Sequence, residues 1–202
     1  MAGNILQLSA QSKERKIEEV TIQGKFLNLP VKKVSENVTV ITRDQIQNTP
    51  AKSVEEVLAQ FTGFDIRRRG SNGVQADIAL RGSSFEQVLI LVNGIRMSDS
   101  QTGHNSMSLP FDLASVERIE VIKGPSARSF GQNAYAGVVN IITKASDEEN
   151  VLVSGSGGDF GTYALGLGAN FGSKKISNFI QVNTASSEGY RYNTDYIINN
   201  IY

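Results

Sequence analysis

The stretch Val116–Lys144, V-E-R-I-E-V-I-K-G-P-S-A-R-S-F-G-Q-N-A-Y-A-G-V-V-N-I-I-T-K, decides the fold of this 202-residue chain. It reads as strand, tight turn, short helical turn, glycine loop, strand. Ile119 and Val121 alternate with Arg118 and Glu120, the period of a half-buried strand. Gly124 and Pro125 stop that strand, because glycine accepts backbone angles that others avoid and proline has no N–H to donate to a ladder. Gly131 and Gly137 bracket the approach to Val138–Thr143, an apolar, β-branched run of the kind found in buried strands. Periodicity alone allows two strands of some α/β domain and nothing more.

The order of the residues is more specific. I-E-V-I-K-G-P followed by F-G-x-N-A-x-x-G-V-V-N-I-I-T-K resembles the end of the plug domain of TonB-dependent outer-membrane receptors. The resemblance implies a plug seated inside a large β-barrel that imports scarce nutrients. It makes Gly124 and Pro125 the turn that fixes the plug sheet.

Composition bounds the alternatives. The formal charge is zero, so no global field favours nucleic acid. The absence of cysteine excludes a disulfide framework, a thiol nucleophile and a cysteine-ligated metal. No run approaches the roughly 20 apolar residues of a membrane-spanning helix, so a membrane role needs a β-barrel. Met1–Gln11 lacks the basic start and the apolar length of a secretory signal.

Toward the N-terminus, Ile17, Glu18, Glu19, Val20, Thr21 and Ile22 form a short acidic-apolar segment with strand propensity before Gly24. Alone, it reads as an ordinary edge strand. By the resemblance it is the energy-coupling segment (the TonB box), which pairs with a strand of TonB. Strand addition of this kind draws affinity from main-chain hydrogen bonds and tolerates varied side chains. Phe26–Lys33 reads as a linker in which Pro30 denies a regular element.

Thr42 with Gln45, and Ser53 with Glu56, have capping-box spacing. They predict a brief helix ended by Pro50 and a second over Val54–Phe61, whose apolar residues share one face before Gly63. The pattern V-x-E-V-L-x-x-x-x-G-F also resembles the plug family. Val88–Val92 and Ile95–Met97 flank Asn93-Gly94, the strongest short hairpin signal.

Two loops carry candidate binding residues. Arg67, Arg68 and Arg69 lead into Ser71 and Asn72; three adjacent arginines are commonly a solvated loop, and guanidinium groups also suit an anionic ligand. Ser98–Ser108 is polar, irregular and long, and holds Gln101, the sole histidine His104, Asn105 and Met107. No ligand spacing supports a metal there. The resemblance makes both loops apical, meeting ligand from outside. It also assigns Arg81 and Arg118 to a latch with glutamates of the barrel wall; the plain alternative is pairing with a nearby carboxylate.

After Lys144 the pattern changes. Tyr163, Leu165, Leu167, Ala169 and Phe171 alternate with small or polar residues, and Ile180 and Val182 alternate with Gln181 and Asn183. That is the text of membrane barrel strands, with lipid on one face and lumen on the other. About four such strands close no barrel, since the smallest have about eight and plugged transporters about 22. The chain is therefore expected to be part of a longer protein.

The expected fold is an α+β plug domain, a mixed sheet with short helices, followed by antiparallel strands of an incomplete transmembrane β-barrel. The expected division is a flexible segment over 1–34, the plug over 35–144 and the opening wall strands over 145–202. The function the resemblance implies is TonB-dependent uptake, at the Gram-negative outer membrane, of a ferric siderophore or cobalamin. Its partners are TonB, that ligand and outer-membrane lipid, with no cofactor and no catalytic group. The alternative is a soluble binding or signalling module that kept the plug without transport. An enzyme is least supported: Gly155–Gly158 lacks the lysine and helix of a phosphate loop.

Overall fold

The computed structural model describes residues 21–22, 29–30, 37–70, 74–99, 101–143, 150–173 and 176–202. Near the N-terminus, β1 (Thr21–Ile22) pairs antiparallel with β2 (Leu29–Pro30). The expected linker thus supplies one strand of a two-residue ladder, which corrects the expectation that Pro30 denies a regular element there. Pro30 lacks a donor but keeps its carbonyl, and it stands opposite Thr21 at the end of that ladder.

Next come β3 (Asn37–Thr42), α1 (Arg43–Gln47), α2 (Val54–Thr62), β4 (Asp65–Arg68) and β5 (Ala76–Ala79). They are followed by β6 (Val88–Val92), β7 (Ile95–Met97), β8 (Val116–Lys123), α3 (Ala127–Phe130) and β9 (Gly137–Thr143). The main sheet has the order β3-β8-β9-β6-β7 and is mixed: β6 and β9 run parallel, the other pairs antiparallel. β4 and β5 form a separate hairpin.

Thr42 closes the expected capping box, with Gln45 N–H donating to its hydroxyl and Gln45 Oε1 accepting from its own N–H at 2.9 Å. Ser53 does not. Its hydroxyl accepts from Arg68 Nη2 at 2.9 Å, while Glu56 reaches past it to the Lys52 N–H at 2.6 Å. Gly63, in the left-handed region, ends α2 as predicted.

β8 departs from the half-buried expectation. Glu120 is fully buried along with Ile119, Val121 and Ile122, because β8 lies between β3 and β9 and both faces are covered. One face packs on α1 and α2 through Ile46, Val57 and Leu58. The other gathers Leu89, Leu91, Ile122 and Val138, with Ala134 and Phe130 from the α3 segment. Gly124 has φ of 119° and its N–H donates to Ala136 O at 2.9 Å, making the turn that releases the chain from β8 into α3. Gly137 is required for another reason. A Cβ there would stand 2.7 Å from Ile122 O, so only glycine lets β9 begin against β8.

The remaining strands, β10 (Asn150–Gly157), β11 (Tyr163–Ser173), β12 (Ile176–Ser187) and β13 (Tyr196–Ile201), form a four-stranded antiparallel meander. Val151, Val153, Leu165, Leu167, Ile180 and Val182 stand exposed on one face. Gly166, Gly168, Asn170 and Gln181 are buried on the other, where Gly166 and Gln181 meet Asp112 of the mixed-sheet domain. The predicted alternation is therefore realised with its apolar side outward.

Candidate functional site

Of the two loops expected to bind ligand, the one after β7 is tied by a histidine to an acid on β5, the strand paired with Arg67 and Arg68. His104 lies in a 3-10 turn (Gly103–Asn105), started by Thr102, whose hydroxyl accepts the His104 N–H at 3.2 Å. Its Nδ1 donates to Asp77 of β5 at 2.9 Å, and its ring stacks on Phe85 with centroids 4.1 Å apart. Gln75 Nε2 donates to the same carboxylate at 3.3 Å. The loop after β7 is thus fastened to the β4–β5 hairpin. Asp77 and Phe85 went unmarked in the sequence because a strand acid and a lone aromatic carry no spacing signal.

Asp99 organises the rest of that loop. Its carboxylate accepts the Gln101 N–H at 2.7 Å and the Asn105 side-chain amide at 3.1 Å. The Gln101 N–H foremost, then the Asn105 amide and the Thr102 N–H, hold its pKa below the ordinary value. Gln101 and Asn105 are both exposed. Met107 does not: it is turned into the core among Phe111 and Val116. Between this loop and Phe85–Gln87 lies an open cleft of about 270 Å³ lined by Phe85, Glu86, Arg96, Met97 and Asp99.

The arginine triplet divides. Arg67 is exposed and pairs with Asp65 at 3.0 Å; Arg69 is also exposed. Arg68 points the other way along the strand and is half-buried, pairing with Glu56 at 2.7 Å and Glu55 at 3.3 Å. It clamps β4 to the start of α2 and is withdrawn from the loop surface, so it is not part of a solvated basic patch. Burial is the largest influence on the Glu56 carboxyl and pushes its pKa up. The Lys52 N–H and the Arg68 guanidinium outweigh it, leaving the group below its ordinary value of 4.5. Ser71 and Asn72 lie outside the described residues, as do Ile17, Glu18, Glu19 and Val20 of the expected coupling segment.

The two arginines expected to form a latch lie on different elements. Arg81 is not a strand residue: it sits just past β5 with φ of 54°, in a turn closed by Ser83 N–H donating to Leu80 O at 3.1 Å. There it lines an open cleft of about 380 Å³ with Gly124 and Pro125. Arg118 lies near the start of β8, about 17 Å along the strand from Lys123 at ordinary strand rise. Its Nε donates to Glu120 at 2.9 Å, and Glu120 also accepts from Asn140 at 3.1 Å. The plain alternative, a neighbouring carboxylate, is what Arg118 meets within this chain.

Contacts between the mixed-sheet domain and the meander run through residues the sequence did not single out. Gln181 Nε2 of β12 donates to Asp112 at 2.6 Å, and its Oε1 is hydrogen-bonded to the Ser115 hydroxyl. Tyr202, just after β13, accepts from Asn93 Nδ2 at 3.0 Å and meets Phe111 edge-on at 5.0 Å. Polar residues in turns, and a lone glutamine in a strand, carry no sequence signal of their partners.

A mixed-sheet domain followed directly by strands that are apolar outward and polar inward defines a protein built as a plug against a wall. The chain matches the TonB-dependent Receptor Plug Domain family over residues 30–138. It is 37% identical over 157 residues to the Vitamin B12 transporter BtuB of Vibrio cholerae serotype O1, covering 76% of this chain and 25% of that protein. Among solved structures, FpvA of P. aeruginosa, bound to heterologous pyoverdines, aligns with a TM-score of 0.67 at 19% identity, over 83% of this chain and 22% of that one. The ferric enterobactin receptor of Pseudomonas aeruginosa aligns with a TM-score of 0.54 at 28% identity, over 74% of this chain and 24% of that one. This chain belongs to the TonB-dependent receptor family and carries its plug domain. It spans about a quarter of the length of the curated relatives it matches.

Proposed function

We propose that the chain is the plug (35–144) and opening wall strands (145–202) of an outer-membrane receptor for energy-coupled uptake of cobalamin. The observation that carries this is the exposed apolar face of β10–β13 behind a plug fold. Residues such as Val153, 80% exposed, and Leu165, 56% exposed, belong against lipid. The same face argues against a soluble module. Cobalamin is favoured because the relatives at 35–37% identity are named vitamin B12 transporters. A ferric siderophore is the second reading, favoured by the enterobactin receptor likeness.

Ligand meets the loop held by His104 and Asp77, with Gln101, Asn105, Arg67 and Arg69 facing it. Ile17–Ile22 serves as the TonB-pairing segment. Its last two residues, Thr21 and Ile22, already occupy a ladder with Leu29 and Pro30, and β-strand addition by TonB would replace that short pairing. Transport then rests on rearrangement of the plug, with Arg81 and Arg118 as its latch to the rest of the wall. The test is uptake of labelled cobalamin, against a ferric siderophore, by cells carrying the receptor or its Ile17–Thr21 deletion. The deletion is expected to keep ligand binding and abolish uptake. Undiminished uptake would overturn the coupling assignment, and uptake of the siderophore alone would overturn the choice of ligand.

A further inference from the structure

We propose that Asp112 is a plug-side docking residue, read by Gly166 and Gln181 of the wall, and that this contact seats the start of β8 on the first strands of the meander. The inference rests on β10–β13 being wall strands, and it concerns a joint separate from the arginine latch.

Four observations converge on it. First, Gly168 is the cross-strand partner of Gln181, and Gly166 that of Asn183, so the two glycines and Gln181 share one face of the β11–β12 pair. At Gly168 the ring of Phe179 packs into the space a side chain would take, whereas Gly166 leaves a hollow on the same face as the long amide side chain of Gln181. Second, Asp112 enters that hollow: a Cβ at Gly166 would lie 3.2 Å from Asp112 Oδ2 and would collide with Ser154 Oγ. Third, Gln181 reaches in and donates to Asp112 Oδ1 at 2.6 Å, a charge-assisted bond, while its oxygen meets the Ser115 hydroxyl. Ser115 and Gln181 are 1% and 5% exposed, so water does not compete for these groups. Fourth, the same Asp112 oxygen accepts the Ser115 N–H at 3.2 Å and so starts the 3-10 turn Leu113–Ser115 that leads into β8.

One carboxylate oxygen therefore serves the wall contact and the turn at once. Shifting the wall away removes the Gln181 bond and loosens the turn with it. Tyr202 continues the joint: it is the backbone partner of Gln181, at 2.8 and 2.9 Å, and its hydroxyl meets Asn93 and Thr143 of the plug.

The test is amide hydrogen exchange of the peptide containing Leu113–Ser115, in the full receptor in detergent, without ligand or TonB. Gln181→Glu sets carboxylate against carboxylate and is expected to raise exchange there by roughly tenfold, the loss of one hydrogen bond to a charged group. Adding Asp112→Asn supplies an amide donor to the new carboxylate and is expected to restore exchange to within about twofold of the parent. Exchange unchanged by Gln181→Glu, or unrestored by Asp112→Asn, would overturn the proposal. If Gln181→Glu also exposes the β8–β9 core, Gly166→Ala asks the same question from the other side of the joint. Raised exchange then supports the dock, and unchanged exchange overturns it. Because no transport is measured, failure of the dock leaves the uptake reading standing.

Discussion

Removing the Arg68 side chain would leave Glu55 and Glu56 side by side at the start of α2 without their shared cation. Arg68→Ala is expected to cost about 2 kcal/mol in denaturant unfolding, since a half-buried hydrogen-bonded pair loses one partner. Glu56 gives the pH signature. Its folded pKa is depressed, so its contribution is fully present above the ordinary value of 4.5 and is lost as pH falls through the lowered one. The stability gap between the parent and Glu56→Gln should therefore close on acidification below that value. If the loop after β7 meets ligand as proposed, Asp77→Asn and His104→Gln are each expected to weaken ligand binding about fivefold, one ordinary hydrogen bond. The double variant should be little worse than either, as titration of binding would show. Nothing in R-R-R or in D-S-Q-T-G-H-N told these roles apart, because partners 12 or 27 residues distant decide them.

Elements were more legible than side-chain partners. Asn93-Gly94 announced its hairpin because both central positions need positive φ, here 51° and 79°. Gly63 and Pro50 likewise bounded the helices, and the period of two set the strands of the meander. The depth of β8 was not legible, since alternation describes one strand and burial depends on what neighbours cover. The β8–β9 contact gives a direct test. Gly137→Ala would place a methyl 2.7 Å from Ile122 O and 3.0 Å from Leu80 Cδ2, and the first of these is backbone that cannot rotate away. A loss of about 2 kcal/mol is expected, measured by unfolding, as for other overpacked sites.

On the scale of the whole molecule, the chain presents two kinds of surface. The mixed-sheet domain buries most of its described apolar residues and leaves only scattered ones such as Ile95 and Tyr135 exposed, whereas the meander turns Leu165, Leu167, Ile180 and Val182 outward on one face. In water such a face drives association; in a bilayer it is the solvated side. Leu167→Arg is expected to cost about 2–4 kcal/mol if the position lies near the bilayer midplane, and much less near an interface. Folding titrations into lipid vesicles would read it, and an unaffected titration would place this face elsewhere. The edge-on meeting of Phe111 with Tyr202 has an optical consequence. The chain holds no tryptophan, so Phe111→Trp would set a single indole beside a tyrosine across the joint of plug and wall. The share of tyrosine-sensitised emission that is lost with Tyr202→Phe, among six tyrosines, would be large while the joint is closed and would fall as the rings part. The separation of the mixed-sheet domain from the meander would then be recorded as colour, in real time.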